Sequence, residues 1–144
     1  MTLALPKFLD KGEDRAFRRA VRQVNELLPS QDIEEVFRLY RPPESQWVEI
    51  AKFLAVQPRL VSALMEAVPY LEQVFGQRRR YLELELDPEG GDPELFGVVL
   101  VKEEPEIALQ LLSQFDATWF SKATTRYVRR HLNFTVDAED DQRV

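Results

Sequence analysis

The sequence predicts an α+β protein, in which about four N-terminal helices pack with a C-terminal β-β-α-β unit that forms a three-stranded mixed sheet. Up to residue 76, apolar residues recur every three or four positions, as on one face of a helix. After the arginines at 78–80 the spacing becomes two, which is typical of a half-buried strand. For 144 residues we expect a single domain: a mainly helical region 1–76, a β-β-α-β region 77–137 and a frayed acidic tail 138–144.

The first predicted helix covers residues 13–28, where one stripe is apolar. This stripe consists of Phe17, Ala20, Val21, Val24, Leu27 and Leu28. Pro29 ends the helix, and Ser30 can cap a second helix that runs until Pro42 and Pro43 stop it. Ser45 is the expected cap of a third helix.

A fourth helix is predicted from Pro58 to the residue before Gly76. Proline suits the first turn of a helix, and glycine suits the position just after its last turn. Pro69 lies inside this helix and has no amide hydrogen to donate. We therefore expect a kink there, or a short break near Val68.

The strands follow. Residues 81–86 should place Leu82, Leu84 and Leu86 on one side of a strand. A turn at 87–94 is rich in residues that favour chain reversal. Residues 95–101 are apolar on both sides, which predicts a central strand.

A helix beginning at Pro105 and a third strand around Phe134 complete the unit, so the second and third strands should run parallel through a right-handed crossover. The predicted buried face of this helix comprises Ile107, Ala108, Leu111, Leu112, Phe115 and Trp119. Residues 122–131 are interpreted as a polar, basic connection. Because this helix covers one sheet face, we expect the N-terminal helices to cover the other and to form one joint core.

The composition restricts the classes of function. The net charge of −6 opposes non-specific attraction to nucleic-acid phosphates or anionic lipid, and the absence of cysteine excludes disulfides and thiolate chemistry. The start lacks the basic leader of a signal peptide, and no run of about 18 apolar residues occurs, so we expect a cytoplasmic protein. The excess of arginine over lysine fits either a thermophilic or a GC-rich source.

Several short motifs occur in a fixed order: Glu66-Ala-Val-Pro-Tyr70, Leu82-x-Leu-x-Leu-Asp-Pro-Glu89, Glu94-Leu-Phe-x-Val-Val98, Pro105-Glu-x-Ala-Leu109 and Phe115-Asp-x-x-Trp119. This succession resembles a family of small prokaryotic proteins that share an Asp-Pro-Glu hairpin and a Phe-Asp-x-x-Trp helix end. The resemblance covers residues 62–137 approximately. It implies relatedness, and it implies no activity, cofactor or site.

Two groups of residues have a functional interpretation as well as a structural one. The first consists of Asp87, Glu89, Asp92 and Glu94, which are hard oxygen donors suited to Ca²⁺ or Mg²⁺, but their spacing is that of an exposed acidic turn and not of an EF-hand. The second consists of Asp116 and Trp119, which either form a recognition pair or serve as a helix-end carboxylate and a core aromatic. The structural interpretation is favoured for both groups.

Arginines form three clusters. The members of these clusters are Arg15, Arg18, Arg19 and Arg22; Arg78, Arg79 and Arg80; and Arg126, Arg129 and Arg130. They are interpreted first as solvated faces paired with glutamates; an acidic protein partner is the next interpretation, and nucleic-acid binding the last.

No catalytic, nucleotide or metal signature accompanies these clusters. His131 is the only histidine, and no glycine-rich loop suits a phosphate. We therefore predict no cofactor and no metal, and a non-enzymatic protein-interaction or regulatory module that binds a protein partner and self-associates. The alternatives are a small-ligand protein or enzyme with a site between the helices and the sheet, and a nucleic-acid binder that uses the arginines.

Overall fold

The structure, a computed structural model, describes residues 30–139. The helix predicted at 13–28, with its arginine cluster, and tail residues 140–144 lie outside this range. The first described elements are helix α1 (Ser30–Leu39), a 3-10 turn (Glu44–Gln46), α2 (Trp47–Ala55) and α3 (Pro58–Phe75). Then follow β1 (Arg80–Glu85), β2 (Glu94–Val101), α4 (Pro105–Phe115), a π-helical turn (Asp116–Phe120), α5 (Ser121–Ala123), α6 (Arg126–His131) and β3 (Leu132–Ala138).

Proline and glycine set the limits of α3 as predicted. The helix begins at Pro58 and is followed by Gly76, whose φ of 77° is a value that glycine adopts without strain. The expected break near Val68 is absent, because α3 continues through Pro69 to Phe75. Ser45 is not the cap of α2, since it lies inside the 3-10 turn that leads into that helix.

The three strands form the predicted mixed sheet, in the order β1-β2-β3. β1 runs antiparallel to β2, and β3 runs parallel to β2, which is therefore central. The pairing of β1 with β2 ends at Glu85 opposite Glu94. Leu86, predicted to point inward, lies beyond this last pair and is 72% exposed.

One face of the sheet, called here the helical face, supplies every strand residue of the contiguous apolar core. These core residues are Leu82, Leu84, Leu95, Val99, Val101, Leu132 and Phe134. The opposite side of the sheet is called here the second face, and the strand register shows which residues lie on it. They are Tyr81, Glu83 and Glu85 on β1, Glu94, Phe96, Val98 and Leu100 on β2, and Asn133, Thr135 and Asp137 on β3.

The helices between residues 30 and 75 and the helix α4 all lie over the helical face. The Tyr40 hydroxyl donates to the carbonyl oxygen of Leu64 in α3 at 2.6 Å, and the Tyr40 ring approaches Gly97 from the same side as Phe134. Phe134 in turn contacts Phe115 of α4, with ring centroids 5.1 Å apart. The expectation that the N-terminal helices and α4 cover opposite faces is therefore wrong for the helices between residues 30 and 75.

The reason is that α3 and α4 contact each other directly. Tyr70 of α3 stacks on Trp119, with centroids 5.6 Å apart, so the two helices occupy one layer. Gly97 leaves room under that layer, because a Cβ added there would lie 2.8 Å from the Phe134 ring. The aromatic packing thus draws both helical groups to one side of the sheet.

The helical segments after β2 differ from the prediction in detail. Ala108 and Phe115 of α4 are buried, whereas Ile107 is 48% exposed, and Leu111 and Leu112 are only half-buried. Where a connection was predicted, α6 forms instead, and the Thr125 hydroxyl accepts a hydrogen bond from the amide of Val128 in its first turn.

β3 also extends further than the sequence indicated. It ends at Ala138, and the amide of Glu139 donates to the carbonyl oxygen of Val101 at 2.7 Å. Two residues assigned to the frayed tail therefore belong to the margin of the sheet.

Side-chain and loop groups protect the free edge of β1. The Gln46 side chain donates to the carbonyl oxygen of Leu84 and accepts from the Leu84 amide, both at 3.0 Å. The Arg41 amide donates to the carbonyl oxygen of Arg80 at 3.1 Å. These bonds occupy positions that another strand would otherwise use. Across residues 30–139, no helix combines the length and apolar content needed to cross a membrane.

Candidate functional site

Five arginines line one groove at the start of β1, called here the arginine groove. It has a volume of about 470 Å³. Its lining residues are Arg38, Leu39, Arg41, Arg78, Arg79, Arg80, Tyr81 and Leu100. No carboxylate is among these residues, and Leu39, Tyr81 and Leu100 add apolar surface between the guanidinium groups.

Backbone hydrogen bonds of the sheet and of the loop after α1 assemble the groove. The loop after α1 is tied to β1 by the Arg41 amide, which donates to the carbonyl oxygen of Arg80 at 3.1 Å. The amide of Leu100 donates to the carbonyl oxygen of Arg79 at 3.0 Å, which extends the pairing of β2 past the start of β1. Residues about forty positions apart are therefore held side by side.

Arg80 is fixed at the centre of these contacts. Its Nε donates to the carbonyl oxygen of Leu39 at 3.1 Å, and its guanidinium lies 5.6 Å from the ring centroid of the buried Tyr40. A cation at this distance from an aromatic ring gains about 0.5–1 kcal/mol at exposed sites. Burial raises the pKa of Tyr40 above its ordinary value, while the nearby positive charge of Arg80 acts in the opposite direction. The phenol therefore stays neutral beneath the groove.

Two groove arginines meet carboxylates at exposed sites. Arg79 contacts Glu139 at 2.6 Å, and Arg38 contacts Glu35 one helical turn earlier. The Arg79 and Arg38 side chains remain 62% and 50% exposed. Hydrogen bonding from Arg79 lowers the pKa of Glu139. Because exposed ion pairs stabilise a protein by about 0–1 kcal/mol, Arg38 can exchange its partner for a ligand at little cost. Glu139 is only 16% exposed, so Arg79 is held more firmly than Arg38, although most of its own side chain faces solvent.

Arg78 is held more firmly. Its two terminal nitrogens donate to the two oxygens of Glu103 at 2.7 and 2.6 Å, and its Nε donates to the carbonyl oxygen of Phe75 at 2.8 Å. This hydrogen bonding lowers the pKa of Glu103 to about 2 and raises the pKa of Arg78. Arg78 thus joins the end of α3 to the loop after β2, so its main role is structural.

The third predicted arginine cluster lies elsewhere. α6 leads into β3, whose first residue Leu132 pairs with Leu95 at the start of β2, whereas Arg80 pairs with Val99. Four strand residues separate these two positions, a distance of about 13 Å along the sheet. The structure therefore brings Arg78–Arg80 together with Arg38 and Arg41, and not with Arg126, Arg129 or Arg130.

The arginines of α6 differ in their surroundings. Arg126 and Arg130 are exposed, whereas Arg129 donates to the carbonyl oxygen of Ser121 and to the hydroxyl of Thr124, both at 3.3 Å. Arg129 thereby closes the end of the preceding helix.

Asp116 and Trp119 occupy opposite environments in the π-helical turn. Trp119 is 4% exposed and is packed between Tyr70 and Phe115, whereas Asp116 is exposed. A depression of about 300 Å³ beside Asp116 also contacts Ser113 and the aromatic core. The burial of Trp119 agrees with its favoured interpretation as a core aromatic, and of the alternative recognition pair only the carboxylate reaches the surface.

The acidic turn uses Asp87 for its own backbone. The carboxylate accepts from the Glu89 amide at 2.9 Å, and the Asp87 carbonyl oxygen accepts from the Gly90 amide at 3.0 Å. These are the hydrogen bonds of a reverse turn. Within the described part of the chain, no three histidine or acidic side chains are arranged to hold a metal ion. His131 packs against Tyr127, with centroids 4.9 Å apart.

Sequence reasoning missed Arg38 and Arg41 as members of the site. Arg38 lies on the polar side of α1, and Arg41 lies in the loop just before two prolines. Neither has another arginine next to it in the sequence, so neither was recognised as part of a cluster. Only the tertiary structure reveals them: Arg41 is bonded to Arg80 of β1, and Arg38 lines the same groove.

Comparisons of the chain with protein-family models, with curated proteins and with solved structures find no match. The resemblance of the short motifs to a prokaryotic family therefore remains an expectation. The geometry of the arginine groove is the observation on which a function can be argued.

Proposed function

We propose that this protein is a non-enzymatic interaction module and that the arginine groove binds a short acidic segment of a partner protein. The observation that carries the proposal is a groove of about 470 Å³ with five arginines and no carboxylate in its lining. Arginine is the side chain best suited to carboxylate recognition, because its planar guanidinium donates two parallel hydrogen bonds.

The apolar surface of the groove specifies the ligand further. Leu39, Tyr81 and Leu100 lie between the arginines, so a segment that alternates carboxylates with an aliphatic or aromatic side chain would meet both kinds of surface. Arginine and tyrosine are enriched among residues that dominate binding energy at protein interfaces. An acidic peptide with apolar residues thus matches the groove better than a bare anion does.

The charges around the groove favour a short ligand over a nucleic acid. Glu35, Glu103 and Glu139 border it, and Glu83 and Glu85 extend along the second face of β1. A long polyanion that filled the groove would continue over these carboxylates, in a protein of net charge −6. A short acidic segment can end before it reaches them.

Fluorescence anisotropy with a short labelled peptide of alternating glutamate and leucine tests the proposal. Arg79→Glu reverses an exposed charge in the groove and should weaken binding about tenfold, equivalent to about 1.4 kcal/mol. Arg130→Glu is the matched control, because it makes the same charge change at an exposed position outside the groove. Its affinity should stay within about twofold of the unmodified protein.

Three outcomes would contradict this function. Absence of peptide binding at low salt excludes the acidic ligand, and equal weakening by Arg130→Glu reduces the binding to general charge attraction. Tighter binding of a single-stranded oligonucleotide than of the peptide would favour nucleic-acid recognition instead. Self-association also stays a prediction, which sedimentation velocity over a range of protein concentrations checks.

A further inference from the structure

The second face of the sheet presents an apolar row that the contiguous core does not include. Phe96, Val98 and Leu100 alternate along β2 on this side, and Val98 is only 2% exposed although it lies outside the core of the helical face. Phe96 and Leu100 are half-buried. The strand residues that join the core all point the other way. Such burial at the centre of the row requires a cover on this side.

We infer that residues 13–28 of this chain form that cover, as an amphipathic helix whose apolar stripe lies along β2. A helix of this length would be about 24 Å long, and the eight residues of β2 extend over about 26 Å, so the two match. The stripe, which includes Phe17, Val21, Val24 and Leu28, supplies large side chains at helical spacing for the row. The inference rests on the burial of Val98 and not on the arginine groove, which shares only Leu100 of this row.

The position of α1 makes the second face accessible to this segment. Residue 28 is separated from α1 by Pro29 alone. Arg38 and Leu39 of α1 share the arginine groove with Tyr81 and Leu100, which belong to the second face. The C-terminal end of α1 therefore borders the edge of that face. Ser30, where the preceding chain enters α1, lies about 14 Å from that end, which is less than the length of the proposed helix.

The charges agree with the same arrangement. With the apolar stripe against the sheet, Arg15, Arg18, Arg19 and Arg22 lie on the outer side, so docking buries no charge. Carboxylates of the second face, on both edge strands, are exposed beside the apolar row. They attract a segment that carries four arginines. A second copy of the chain would instead bring acidic margins against acidic margins.

Cysteine accessibility tests the inference in the full chain, which contains no cysteine of its own. Thr135→Cys places a thiol on the second face, and Val136→Cys places one on the helical face. In the Thr135→Cys protein, Val24→Asp should raise the rate of thiol labelling at least about tenfold, because it opens the cover locally. Arg22→Gln, on the opposite stripe of the segment, should leave the rate within about twofold, because three of the four arginines remain. Val24→Ala should give an intermediate increase.

Either of two results would overturn the inference. If Val24→Asp exposes the thiol at position 136 as much as the thiol at position 135, the segment belongs to the main core and not to the second face. If the Val24 variants leave the thiol at position 135 protected, another cover is present. Protection that rises with protein concentration would then identify a second copy as that cover.

Discussion

Tyr40 joins three parts of the structure, and removing its hydroxyl tests the packing that places the groove. The side chain is fully buried, its hydroxyl donates to the Leu64 carbonyl oxygen at 2.6 Å, and Arg80 lies over its ring. Tyr40→Phe keeps the ring and loses the hydrogen bond. Because a net intramolecular hydrogen bond contributes about 1 kcal/mol, the free energy of unfolding near neutral pH should fall by that amount. Urea unfolding followed by circular dichroism measures it.

The pH dependence of this difference is the stricter test. Burial raises the folded-state pKa of Tyr40 above the ordinary value of 10.0. The corresponding stability is complete below about pH 10 and is lost as the pH rises from there towards the folded pKa, at about 1.4 kcal/mol per pH unit. Phenylalanine cannot ionise, so the disadvantage of Tyr40→Phe should shrink above pH 10 and vanish by about pH 11. A difference that stays constant from neutral pH to pH 11 would refute the buried, neutral phenol.

Two positions of β2, Val99 and Gly97, test the sheet. Val99→Asp puts a charge at a core position that is 1% exposed and should abolish cooperative thermal unfolding. The control Glu83→Asp, at an exposed position, should change stability by less than about 0.5 kcal/mol. A folded Val99→Asp protein would contradict the assigned register. Gly97→Ala adds a Cβ 2.8 Å from the Phe134 ring and should cost about 1–3 kcal/mol in urea unfolding. Adding Phe134→Leu should recover part of this loss, and an unchanged stability of Gly97→Ala would exclude the close contact.

The candidate site was only partly accessible from the sequence. Arg78, Arg79 and Arg80 are consecutive, so a basic cluster could be recognised there, but no local pattern joins it to Arg38 or Arg41. For Asp116 and Trp119 the sequence left a recognition pair open beside the favoured core role of Trp119, and the aromatic packing leaves an exposed carboxylate and a buried indole. Spacing along the chain shows which residues are neighbours on one helix or strand, and it does not show which side chains become buried in the core.

The sequence by itself determined the order of helices α1 to α4 and of the three strands, and the mixed pairing of the sheet. Periodicity, proline and glycine act over one or two turns of chain, and Pro58, Gly76 and the two-sided run from Leu95 to Val101 carry this information without reference to distant residues. Only the tertiary structure decided which sheet face the helices between residues 30 and 75 cover. That choice depends on aromatic contacts between Tyr70 and Trp119 and on the space left by Gly97, which arise between distant segments once the chain has folded.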